Sequence, residues 1–143
     1  MDDVRFVLDT NVVVAGIRSP TGASAALVEA ALQREFVVVL SVALALEYEA
    51  ACCAPDQRID SGLSEAEVRV VITALCNVAE PVAPRFLWRP QLRDPADEMV
   101  LETAINGRAD ILVTFNRRDF GEAPLRFGIE LLNPRDALRR VRK

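Results

Sequence analysis

Short apolar runs alternate along the chain with longer stretches of helical spacing. Val4 to Leu8 is a β-branched and apolar run that reads as a buried strand, and Phe36 to Leu40 reads as a second. Between them Asn11 to Ile17 is apolar, Arg18 to Gly22 contains the turn cluster Ser-Pro-Thr-Gly, and Ala23 to Gln33 puts Ala26, Leu27, Ala30 and Ala31 on one helical face. Val42 to Cys53 predicts a helix that stops before Pro55, and residues 54–63 predict a polar loop. Ser64 and Glu67 make a capping box for a helix carrying Val68, Val71, Ile72 and Leu75 at helical spacing. Val78 to Val82 predicts a short strand, and residues 83–93 a loop in which Trp88 is a buried anchor. Asp94 as N-cap with Pro95 at N1 opens a helix that ends with Gly107 as its C′ residue. Asp110 to Thr114 and Ile129 to Leu132 predict strands, with a polar turn from Thr114 to Phe120 after the first of them. Asn133-Pro134 opens a last helix, where Asp136 and Arg140 stand as an i,i+4 pair.

Buried strands separated by helices imply a mostly parallel sheet covered on both faces. Ligands of such sheets bind outside the carboxyl ends of the strands. Asp9 stands at that end of the first strand, and Thr114 to Asn116 at that end of the strand beginning near Ile111. Two polar groups distant in sequence are therefore expected on the edge where sites form.

The chain has 143 residues and a hydrophobic content of 51%, which predicts one domain over 1–143 with a full core. Its longest apolar run, Phe36 to Leu46 interrupted by Ser41, is too short for a bilayer, and Met1-Asp2-Asp3 lacks the basic start of a signal peptide. A soluble, cytoplasmic protein is expected. Cys52, Cys53 and Cys76 lack the spacing of a disulfide framework or a zinc site and read as small buried hydrophobes. The net charge of −4 rules out a whole-molecule electrostatic trap for nucleic acid, though not a local one. Of the 17 basic residues only Lys143 is lysine, so mechanisms that need an internal lysine are excluded. The arginines suit bidentate contacts to phosphate or carboxylate.

Histidine is absent, and the candidate chemistry lies in the acids. Carboxylates that meet without histidine or thiolate commonly hold Mg²⁺ or Mn²⁺ through oxygen. Asp9 reads as helix cap and as ligand, roles that are compatible. Glu47 lies among Ala43, Leu44, Leu46, Ala50 and Ala51, where a buried carboxylate needs a partner. Asp94, Asp97 and Glu98 open a helix, a position that capping and the helix dipole also favour. Asp94 is the cap, Asp97 lies beside the apolar stripe of Leu101 and Ala104, and Glu98 shares a wet face with Glu102. Asn116 and Asp119 fit an ordinary turn as well as a site. Arg117, Arg118 and the cluster Arg135, Arg139, Arg140, Arg142 and Lys143 read as RNA contacts or as solvated charge.

Four segments together resemble the PIN-domain family of metal-dependent nucleases, which includes the VapC-type toxins of toxin–antitoxin pairs. They are Val7-Leu8-Asp9-Thr10-Asn11-Val12, Leu40 to Glu47, Arg93 to Glu98, and Asp110 to Phe120. Their order and spacing carry the resemblance, which runs from Val7 to about Leu138. It implies a three-layer α/β/α fold with a central, mostly parallel sheet. It implies an endoribonuclease that cleaves RNA with Mg²⁺ or Mn²⁺, works as a homodimer, and is restrained by an antitoxin protein. Asp9, Glu47 and Asp97 match the family's core acids, and Asp119 a further acid of the toxin-like members, so these four are the expected catalytic and metal-binding residues. Asp94, Thr114 and Asn116 are the expected supporting residues; many members carry aspartate where this chain has Asn116.

A dehalogenase-type phosphatase would need a second aspartate where Asn11 stands and a later lysine, and a phospho-receiver domain needs the same lysine. The remaining alternative is a catalytically weak or inactive PIN-fold module that binds RNA or a protein partner, a reading that Asn116 favours.

Overall fold

A computed structural model describes residues 4–83 and 91–142. The elements follow the order β1 (Arg5–Leu8), α1 (Thr10–Arg18), α2 (Ala23–Leu32), β2 (Val37–Leu40), α3 (Val42–Cys52), α4 (Pro55–Ser61), α5 (Glu65–Val78) and β3 (Glu80–Pro81). They continue with α6 (Pro95–Asn106), β4 (Ile111–Val113), α7 (Arg117–Phe120), α8 (Ala123–Arg126), β5 (Glu130–Leu132) and α9 (Pro134–Val141). The strands form one sheet in the order β3-β2-β1-β4-β5. Every pairing is parallel, with Phe6 beside Val38 and Ile111, and Leu8 beside Val113. Helices flank the sheet, giving a three-layer α/β/α fold.

Residues from β1, β2 and β4 are almost wholly buried, as expected for strands covered on both faces. Phe6 stacks on Phe36 with ring centroids 4.4 Å apart. The chain winds outward from β1 through β2 to β3, then returns to the other side of β1 with β4. The order reverses between β1 and β4, and a crevice opens there outside the strands' carboxyl ends.

Several elements differ from the sequence pattern. Residues 54–63 contain α4, started by Pro55 in its first turn and ended by left-handed Gly62 at φ 74°. Val78 belongs to α5, leaving only Glu80 and Pro81 as strand. The polar turn after β4 holds the single-turn helix α7. Gly107 caps α6 in a right-handed conformation, and the left-handed residue is Arg108 at φ 53°. Gly107 is needed for close packing instead: a Cβ there would lie 2.8 Å from Val82 Cγ2 and 2.9 Å from the Thr103 carbonyl oxygen. Arg140 does not pair with Asp136; it makes a bidentate bridge to Glu130 at 2.8 and 2.9 Å, while Asp136 pairs with Arg139. The thiols are free, and Cys76 is exposed rather than buried. Trp88 and Lys143 lie outside the described residues. No helix among the described residues is long and apolar enough to cross a membrane.

Candidate active site

Asp9 leaves β1 at the order reversal and caps α1, its Oδ1 accepting the Thr10 N–H at 2.8 Å. Thr114, fully buried just beyond β4, donates its hydroxyl to Asp9 Oδ2 at 2.7 Å and accepts the Asn116 N–H at 3.0 Å. These bonds join the ends of β1 and β4 through a carboxylate that is 6% exposed.

Two further ties set the helices that carry the other acids. Tyr48, buried on α3, donates its hydroxyl to the Leu8 carbonyl, one residue before Asp9. Ser41 caps α3 by accepting the Leu44 N–H at 3.2 Å, and its hydroxyl meets that of Thr103 on α6 at 2.8 Å. Glu47 on α3 and Asp97 near the start of α6 are thus fixed relative to β1. Asp9, Glu47 and Asp97 line one cavity of about 580 Å³, joined by Asn11, Gln57, Arg18, Phe115 and Asn116.

The electrostatics of this cavity depart from the rest of the molecule. Several acids elsewhere have arginine partners: Glu80 has Arg5, Glu49 and Glu65 have Arg69, and Glu130 has Arg140. None of Asp9, Glu47 and Asp97 makes an ion pair among the described residues. Burial raises the Asp97 pKa to about 6, helped by the charges of Asp9, Asp94 and Asp119. Burial also raises that of Asp9, against the hydrogen bonds from Thr114 and Thr10, and Asp119 and Asp94 add to the rise. Three carboxylates thus face the cavity against one guanidinium, that of Arg18, among its described lining.

The family model for the PIN domain matches residues 5–118. The chain belongs to the PIN domain family. PIN domains are generally nucleases, acting on nucleic acid. The match covers Asp9, Glu47 and Asp97, and ends one residue before Asp119. A search of curated proteins finds no match.

Asp119 lies on exposed α7 and lines an adjoining groove of about 800 Å³ with Asp94, Arg93, Arg118 and Arg126. Asp97 lines both the cavity and the groove, so Asp119 acts on the first cavity through its charge. Asp94 caps α6, accepting the Ala96 N–H at 2.8 Å. Asn116 presents a neutral amide to the cavity.

Glu98 and Glu102 correct the expectation of a wet face: they are only 4% and 5% exposed. Glu98 Oε1 accepts the N–H groups of Gln91 and Leu92 at 2.6 and 2.7 Å, so it secures the chain entering α6. That bonding turns it away from solvent, for a reason helical spacing does not contain. Strand ends and helical spacing do not single out Arg18, Gln57, Tyr48 or Phe115. Gln57 falls in a stretch whose polarity reads as loop, although Pro55 and Gly62 are the signals that bound α4.

Three acids against the single base Arg18 leave the described lining of this PIN domain's cavity net negative. Besides the carboxylates, Asn11 Oδ1 and Gln57 Oε1 are buried with no hydrogen-bond partner among the described residues. An all-oxygen set with excess negative charge suits a hard divalent cation. No three acids among the described residues stand close enough to grip one ion together. The donor set fits a cation that keeps much of its water, as Mg²⁺ does.

Proposed function

We propose that this PIN domain is an endoribonuclease that requires Mg²⁺ or Mn²⁺. The observation that carries the reading is the convergence of Asp9, Glu47 and Asp97, without an ion pair among the described residues, on the cavity where the strand order reverses. Asp9, Glu47 and Asp97 would hold the cation, with Asp119 contributing from the adjoining groove. A bound divalent ion supplies positive charge for the scissile phosphate and acidifies water for in-line attack.

The chain's own groups prepare that chemistry. Thr114 and the Thr10 N–H fix the Asp9 carboxylate and leave it further lone pairs for a ligand. Ser41, Thr103 and Tyr48 hold α3 and α6 against β1, which keeps Glu47 and Asp97 at the cavity. Arg93, Arg118 and Arg126 line the neighbouring groove and suit phosphates flanking the cleaved bond.

We extend the reading to a cytoplasmic toxin of a toxin–antitoxin pair, working as a homodimer, with an antitoxin that covers the acidic cavity. Its support is the resemblance of the four segments to the PIN-domain family, which includes the VapC-type toxins. The test of the enzymatic core is direct. Purified protein with Mn²⁺ is expected to shorten RNA, and excess chelator to stop it; RNA left intact with Mn²⁺ would overturn the proposal.

A second reading, a noncatalytic module, has a specific observation in its favour. The acids are too dispersed to enclose an ion by themselves, and Asn116 adds no charge. The two readings part on metal binding, because only the enzyme requires a cation held by the folded cavity.

A further inference from the structure

Phe115 is an apolar ring left 52% exposed at the rim of the acidic cavity, between cavity-lining Asn116 and the Thr114 that holds Asp9. It also lines a second cavity, of about 410 Å³, on its other side. Small residues, Ala15, Gly22 and Ala23, line it together with Arg135. An exposed flat ring, small neighbours and a guanidinium suit a nucleobase with its phosphate.

We propose that this second cavity is a nucleobase subsite in which Phe115 stacks one unpaired base beside the cleaved bond. Arg135 meets the phosphate. The inference rests on the nuclease reading and deepens it: the substrate is single-stranded where it enters, because a paired base keeps its faces covered by its neighbours. Phe115 then fixes which phosphate reaches the acids, acting on binding and register.

The test uses a short single-stranded RNA carrying a fluorescent purine, titrated in the presence of chelator so that no cleavage occurs. Wild-type protein is expected to quench the purine and to bind the single strand more tightly than its duplex. Phe115→Ala and Phe115→Leu should each weaken binding about tenfold, and Phe115→Tyr should retain it, since leucine keeps apolar area but lacks a π-face. Wild-type affinity in the Ala and Leu variants, or equal affinity for duplex, would overturn the subsite; continued Mn²⁺-dependent cleavage by those variants would leave the nuclease reading standing. A wild-type protein that neither binds nor cleaves RNA would remove both.

Discussion

Asp9→Asn is expected to reduce RNA cleavage by about a hundredfold or more while the protein stays folded. The magnitude reflects the several kcal/mol of charge stabilisation that a correctly held cation provides at a phosphate. The fold should survive for a local reason. An asparagine keeps a carbonyl oxygen for the Thr10 N–H. Its amide would face the Thr114 hydroxyl, which can rotate to accept where it now donates. The substitution also removes a buried charge whose pKa burial has raised, so the metal-free variant should melt no lower than wild type. Cleavage rates and thermal melts on the same preparation check both halves. Cleavage at the wild-type rate would remove Asp9 from the chemistry.

Tyr48→Phe is expected to cost about 1–3 kcal/mol of stability, because it leaves the buried Leu8 carbonyl without the donor that α3 supplies. Activity should fall between about tenfold and a hundredfold, since small displacements of a positioned group are expensive in rate. Tyr48 lies next to Glu47 in sequence, and its bond ends one residue before Asp9, so loosening it shifts two acids at once. Denaturant melts report the first effect. Cleavage measured well below the melting temperature, where the variant is fully folded, reports the second. Loss of stability with unchanged cleavage would make Tyr48 a packing residue alone.

The parts of this site legible in the sequence are those that local pattern determines. Asp9 follows a buried strand, and a parallel sheet places such a residue on the ligand edge whatever else the chain does. Asp97 sits a fixed three residues after a capping aspartate, and the Asp94-Pro95 signal is strong enough to set its register. The sequence does not reveal what tertiary bonds decide. Glu98 has the spacing of a solvated acid, yet it takes two backbone N–H groups of the preceding segment and is buried. Arg140 could meet Asp136 on its own helix, but the bidentate geometry offered by Glu130 on β5 wins. Asp119 reads in the sequence as one of the set of acids; the single turn of α7 places it in the adjoining groove that Asp97 also lines, where its charge helps raise the Asp9 and Asp97 pKa values. At the opposite end of the sheet, the Arg5 guanidinium binds Glu80 and the Gly107 carbonyl, while its backbone N–H meets Asp110. Charge there is spent on structure, and the contrast makes the unpaired acids near Asp9 informative.

The central proposal is that Asp9, Glu47 and Asp97 serve one hydrated divalent cation, in part through its bound waters, and calorimetric titration of the metal-free protein with Mn²⁺ tests it most directly. The account predicts saturable binding that raises the melting temperature and is lost in Glu47→Gln. No heat and no melting shift with wild-type protein, or binding unchanged in Glu47→Gln, would contradict it.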